Sequence, residues 1–179
     1  MKKAVALLLI FLNLFSFAAA ESPTKPVPIL KTFSAQDIDL NPVDESVLKG
    51  HALTMINIWG TFCNPCISEM PGLGEMHTEL KERGFQIIGL LTDAQDESLS
   101  PVPAQLDFAK EIIAETKADY LHILPSPEMY YMFLSQVTAV PCTFFVDENG
   151  NMTGDVYYGS RSKETWLEIV EPLLEEVAR

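Results

Sequence analysis

The 179-residue chain carries 12 Lys and Arg against 25 Asp and Glu, a formal charge of −13, with 47% hydrophobic and 21% charged residues. Its length suits one globular domain, its composition excludes a disordered or fibrous chain, and the absence of a dense basic patch excludes nucleic acid as a partner. Three cysteines are too few for a disulfide-stapled miniprotein and odd in number for a purely structural framework.

Residues 1–20 read as a signal peptide. Lys2 and Lys3 give a positive start, Ala4 to Phe17 is an apolar run, and Ala18-Ala19-Ala20 supplies small residues ahead of Glu21. That run of fourteen residues, broken only by Asn13 and Ser16, is short for a spanning helix, which needs about 20, but an uncleaved membrane anchor is the alternative. No cysteine follows the run, so a lipid-modified cysteine is not expected there. Without Lys2 and Lys3, 10 basic residues would face 25 acidic ones, a charge of −15 that disfavours contact with anionic lipid. The chain is therefore read as exported, periplasmic or otherwise extracytoplasmic, where thiols are oxidised unless something keeps them reduced.

Residues 21–32, proline-bearing, read as an extended tether, and the domain proper as residues 33–179. Phe33 to Leu40 alternates weakly up to an Asn41-Pro42 turn signal. Leu53 to Trp59 is nearly continuous in apolar and β-branched residues, the pattern of a strand buried on both faces. A helix follows from Asn64 to Arg83, closed by Gly84, and then a second buried strand, Phe85 to Leu91. Asp93 to Pro103 is polar and reads as a loop. Leu106, Ala109, Ile112 and Ile113 fall at helical spacing through Thr116. Ser126-Pro127-Glu128 is a helix start with a capping hydroxyl and a proline in the first turn. Cys142 to Val146 and Met152 to Tyr158 flank a turn and predict a hairpin. A last helix spans Ser162 to Val177, with Pro172 expected to kink or interrupt it. Strands alternating with helices, closed by a hairpin and a helix, predict a three-layer α/β/α domain around a central mixed sheet.

The chemistry centres on Cys63-Asn64-Pro65-Cys66, placed where a buried strand ends and a helix begins. The first helical turn has free N–H groups and a partial positive charge, both of which stabilise a thiolate. Cys63 at the exposed helix start would attack, and Cys66, one turn along and more buried, would resolve. A structural zinc site would need a second pair of ligands, and only Cys142, His51, His77 and His122 remain. The three histidines show no metal-ligand spacing and read as surface or loop residues. A static structural disulfide is the other alternative. A peroxidase of this general type would carry Pro seven residues and Thr three residues before Cys63, where Ile56 and Gly60 stand.

Trp59-Gly60-Thr61-Phe62-Cys63-Asn64-Pro65-Cys66 resembles the WxxxCxPC motif of thioredoxin-fold proteins, with Phe62 where many relatives carry Trp. Pro71 matches the proline of the active-site helix in that family. Val140-Pro141 matches its cis-proline loop, which lies beside the redox cysteines and offers backbone groups to a client. The order of elements, with an N-terminal extension and a central helical insertion, is similar to the exported TlpA/ResA-type branch of the AhpC/TSA-redoxin superfamily. The resemblance implies an exported thiol–disulfide oxidoreductase with no cofactor beyond a Cys63–Cys66 couple. It further implies clients such as apocytochrome c or other oxidised exported proteins, and recharging by a membrane electron transporter of the DsbD/CcdA type. Trp59 and Pro65 would brace the motif. Asn57 stands where thioredoxins proper carry a buried acid and cannot take a proton at neutral pH. Glu69, three residues past Cys66 on the same helix face, is either its replacement or a solvated helix glutamate. Cys142, after the expected cis-proline, would face the active site. There it would be either a third thiol near Cys63, able to share a metal with Cys63 and Cys66, or an inert buried small hydrophobe.

Overall fold

A computed structural model describes residues 28–177. The expected leader, residues 1–20, and most of the expected tether lie outside the described residues. Strands β1 (Ser34–Asp37), β2 (Pro42–Asp44), β3 (Leu53–Trp59), β4 (Phe85–Leu91), β5 (Leu121–Leu124), β6 (Cys142–Val146) and β7 (Met152–Tyr158) form one sheet in the order β2-β1-β5-β4-β3-β6-β7. β3, β4 and β5 are mutually parallel, and β1, β2, β6 and β7 pair antiparallel. Every residue of β3 and β4 is buried, because these adjacent strands are covered on both faces.

Strand alternation assigns the two faces. Leu53, Met55 and Trp59 of β3 turn toward helices α1 (Asn64–Leu80), α2 (Pro103–Thr116) and α4 (Lys163–Val177), which contribute Cys66, Met70, Leu73, Ala109, Trp166 and Val170 to that core. Ile56 and Ile58 turn the other way, toward the short α3 (Pro127–Met132), the N-terminal segment and Leu48. The helical repeat expected at Leu106, Ala109, Ile112 and Ile113 is the buried stripe of α2. α1 stops at Leu80, passes into a 3₁₀ turn over Lys81–Arg83, and is closed by Gly84 at φ +80°, a left-handed conformation that favours glycine. Ser126 caps α3 by accepting the Met129 N–H.

Three local readings differ from the structure. β5 is not foreseen, because four residues interrupted by His122 are too short a run to show periodicity. Of the two effects expected of Pro172, interruption does not occur: α4 is continuous from Lys163 to Val177, held by burial of Trp166, Val170 and Leu174, whose packing outweighs the missing N–H. Residues assigned to the tether are already packed: Leu30 is buried, and Ile29 and Leu30 both donate their N–H to the Gly150 carbonyl at the β6–β7 turn.

Candidate active site

Cys63 and Cys66 form a disulfide across the first turn of α1, with Cα atoms 5.3 Å apart. Cys63 is the helix N-cap. Its backbone is extended, and its Sγ accepts the Cys66 N–H at 3.2 Å. A sulfur thus occupies the place that a Ser or Asp oxygen usually takes, next to the free N–H groups and positive pole of the helix. Pro65 sits in the first turn, where it has no helical N–H bond to lose. Cys66 is wholly buried, and Cys63 is 5% exposed, less open than its place at a helix start suggests. Phe62, the residue before it, is 70% exposed.

The loop leading to Cys63 is clamped from below. Trp59 is wholly buried, its carbonyl accepts both the N–H and the Oγ1 hydroxyl of Thr92 at 3.0 Å, and its ring meets His122 edge-on at 5.5 Å. Asp93, at the C-terminal end of β4, accepts the Thr61 N–H at 3.0 Å and the Thr61 hydroxyl at 2.7 Å. Gln105 Nε2 on α2 donates to both Thr61 Oγ1 and Asp93. Sequence reasoning missed this clasp. Its one signal is an acid two residues past a buried strand, the edge at which parallel α/β sheets place their polar work.

Glu69 is buried at 5% exposure, which eliminates the solvated helix glutamate. Its Oε1 accepts from Asn57 Nδ2 at 3.0 Å, and its Oε2 accepts from the Arg161 N–H at 3.0 Å and from Trp166 Nε1 at 3.2 Å. Burial pushes its carboxyl above the usual range, and the three donors only partly oppose it. Asn57 gives its other hydrogen to Thr143 Oγ1 at 3.1 Å. That leaves Asn57 Oδ1 buried without a protein partner. A carboxyl near the resolving cysteine, its pKa raised by burial and its oxygens held by donors from β3, α4 and the β7–α4 turn, is suited to exchanging a proton.

The Val140–Pro141 peptide is cis, and Val140 packs against the core that holds both redox cysteines. Cys142 lies elsewhere. Its neighbours in sequence, Thr143 and Phe145, face α1 and α4, so Cys142 turns to the opposite side with Phe144 and Val146. This corrects the expectation that the residue after Pro141 faces the active site: the side-chain period of two puts it on the far face of β6. Burial raises its thiol pKa against a hydrogen bond with Tyr158, and it is the free cysteine of the chain. Cys63, Cys66 and Cys142 are therefore not one ligand set. Among the described residues, no group of three or more His, Cys, Asp or Glu side chains is placed to hold a metal ion.

The histidines are not all surface or loop residues either. His122 is buried on β5, stacks on Tyr120 at 4.5 Å and bonds the Ala118 carbonyl through Nε2 at 3.1 Å; burial lowers its pKa to about 4. His77 is half-buried on α1, and its Nδ1 accepts the Ile87 N–H at 3.2 Å. Gly89 makes room for this packing. A Cβ there would fall inside contact distance of His122 Nδ1 and 3.1 Å from Trp59 Nε1.

A reactive-looking disulfide capping the helix after a buried central strand is how thioredoxin folds present sulfur to a client, and the protein is a thiol–disulfide oxidoreductase of that fold. The chain belongs to the AhpC/TSA family, whose profile matches residues 27–154. It is 24% identical over 141 residues to the thiol-disulfide oxidoreductase ResA of Bacillus thuringiensis subsp. konkukian, covering 79% of this chain and 74% of that one. It also resembles the crystal structure of a thiol:disulfide interchange protein, a thioredoxin family protein from Chlorobium tepidum TLS. That match has a TM-score of 0.69 and 27% identity, and covers 86% of this chain and 99% of the other. A secreted Mycobacterium tuberculosis disulfide oxidoreductase described as homologous to E. coli DsbE shares the fold, with a TM-score of 0.62 and 16% identity over 80% of this chain and 97% of that one.

Proposed function

We propose that the protein is exported and reduces disulfides of extracytoplasmic client proteins through a Cys63–Cys66 dithiol/disulfide couple. The observation that carries this is the Cys66 N–H donated to Cys63 Sγ at the start of α1, since the same N–H and the helix pole would hold a thiolate on Cys63 after reduction. The Cys63 thiolate attacks one sulfur of the client disulfide and expels the other as a thiolate, giving a mixed disulfide. Cys66 then attacks Cys63 Sγ and releases the client reduced, with two electrons passed from the protein dithiol to the client. Cys66 must lose its proton to attack. Glu69, three residues further along the same helix face, is the group we assign to take it, oriented by Asn57 and Trp166.

Trp59 and Pro65 hold the motif in place, and the Val140–Pro141 loop offers backbone groups to the client. Cys142, on the far face, takes no part. The redox equivalents reside on the protein's own sulfurs, so the reaction so described uses no bound cofactor. Asn64-Pro65 adds no positive charge between the cysteines, which favours a reductant over an oxidant. A reductant outside the cytoplasm needs electrons delivered to it, and the ResA-like resemblance suggests a DsbD/CcdA-type membrane transporter as donor and apocytochrome c among the clients. The apolar leader over residues 1–20 and the secreted relative in fold support export.

The test is reduction of a disulfide-bonded protein client by the pre-reduced protein, with Cys66→Ala alongside. The variant should accumulate a covalent client adduct on Cys63 that dithiothreitol releases. No turnover in the native chain and no adduct in the variant would overturn the reading. The family also leaves a peroxidase open, but Ile56 and Gly60 break its pattern, and no thiol-dependent consumption of hydrogen peroxide is expected.

A further inference from the structure

A groove of about 860 Å³ runs beside the redox motif, from Phe62 past the loop after β4 to α3 and Val140. It opens on the sheet face covered by α3, the face away from Glu69. Its rim carries three large aromatic side chains turned to solvent: Phe62 at 70%, Tyr130 at 51% and Tyr131 at 83% exposure. Clustered exposed aromatics beside a reactive group are a recognition surface and not core that failed to bury.

The charge on this groove is one-sided. Asp96 and Glu97 line it, and no Lys, Arg or His does. Neither acid enters any of the ion pairs among the described residues, which engage Glu75, Glu79, Asp39 and Glu171 instead. The Asp96 carboxylate accepts the N–H groups of Ser98 and Ser100 at 2.8 and 2.9 Å, so it shapes the loop that carries it and fixes the charge in place. Glu97 is exposed beside it. Two acids without cations on a partly apolar wall lower the potential locally and select for a complementary charge.

Resting on the thiol–disulfide reading above, we infer that this groove binds an extended, cysteine-bearing segment of an unfolded client that is rich in Lys or Arg. Aromatic or aliphatic client residues would lie on Phe62, Tyr130 and Tyr131, and a cation would lie at Asp96 and Glu97. The groove would thereby rank clients by the charge next to their cysteines, while the sulfur chemistry at Cys63 stays the same for all. In the exchange the Cys63 thiolate breaks the client S–S bond, Cys66 then expels the client sulfur, and the client gains two electrons and, at neutral pH, two protons.

The experiment compares two synthetic peptides of equal length. Each has one internal disulfide and one aromatic residue; one peptide has Lys and the other Glu at the positions flanking the cysteines. Single-turnover reduction by the pre-reduced protein is followed at low and high salt. The Lys peptide should react about tenfold faster at low salt, and the ratio should fall toward one at high salt. Glu97→Gln should lower the ratio about threefold, whereas Glu176→Gln, an exposed acid on α4 across the sheet, should leave it in place. Equal rates for the two peptides, or an equal drop in both variants, would overturn the groove assignment while leaving the oxidoreductase reading standing. Failure to reduce either peptide would instead overturn that reading, and the inference with it.

Discussion

Cys66 and Cys142 are both almost wholly buried, yet they sit on opposite faces of one sheet in unlike surroundings. Cys66 shares a helix turn with a sulfur that accepts a backbone N–H, and its face of the sheet carries Asn57, Glu69, Thr143 and the Trp166 indole bonded to one another. Cys142 has Ile29, Phe133, Val137 and Phe144 around it, and Tyr158 as its polar neighbour. Burial alone therefore does not predict sulfur chemistry. What separates the two is the helix N-terminus that Cys66 adjoins and the buried carboxyl we propose as its proton acceptor, whereas the surroundings of Cys142 are mainly apolar.

The largest effect expected from breaking that contrast is at Cys63. Cys63→Ala should reduce turnover of a disulfide client to the uncatalysed background, measured in a coupled thiol assay, because no other described cysteine caps a helix. Glu69→Gln comes next. It keeps the shape of the side chain and removes the carboxylate we propose as proton acceptor, so resolution of the mixed disulfide should slow roughly 10²-fold. The sign with pH follows from the raised carboxyl: Glu69 accepts a proton only when ionised, so the native rate should climb as pH rises through a value above 4.5, and that limb should vanish in the variant. A pH profile unchanged by Glu69→Gln would remove Glu69 from the proton transfer.

His122 sharpens the same contrast through stability. Its pKa falls to about 4 in the folded protein from 6.5, so between those values the unfolded chain binds the extra proton and the fold weakens as pH drops. The loss is on the order of 2–3 kcal/mol at about 1.4 kcal/mol per unit, and urea titrations at pH 7 and pH 4.5 should show it reduced in His122→Gln. Gly89→Ala should cost about 1–3 kcal/mol by forcing His122 and Trp59 apart, read as a lower Tm. Cys142→Ala is the smallest: about 1 kcal/mol of stability, with turnover and reduction potential unchanged. A clear loss of turnover there would erase the contrast between the two faces.

The motif and its strand were legible because each rests on local rules, a continuous apolar strand at Leu53–Trp59 and a proline in the first turn at Pro65. The cis bond before Pro141 was expected from the family resemblance alone, since an X-Pro pair does not disclose its isomer. The facing of Cys142 was not, since it turns on the parity of β6 against β3, where Asn57 pairs with Thr143 and Ile58 with Cys142. One residue of register reverses such a conclusion. Glu69 could be placed on the Cys66 side of α1 from spacing alone, but its burial depends on Arg161 and Trp166, more than ninety residues away in sequence. The Thr61–Asp93–Gln105 clasp joins three elements and leaves almost no local trace for the same reason.

The central claim is that the Cys63–Cys66 couple is a reductant, and the equilibrium reduction potential of the protein in defined dithiol buffers tests it most directly. The account predicts one reversible two-electron couple near thioredoxin's, about −270 mV. A value near about −120 mV would make the protein an oxidant of folding clients, and the absence of any reversible couple would contradict the assignment altogether.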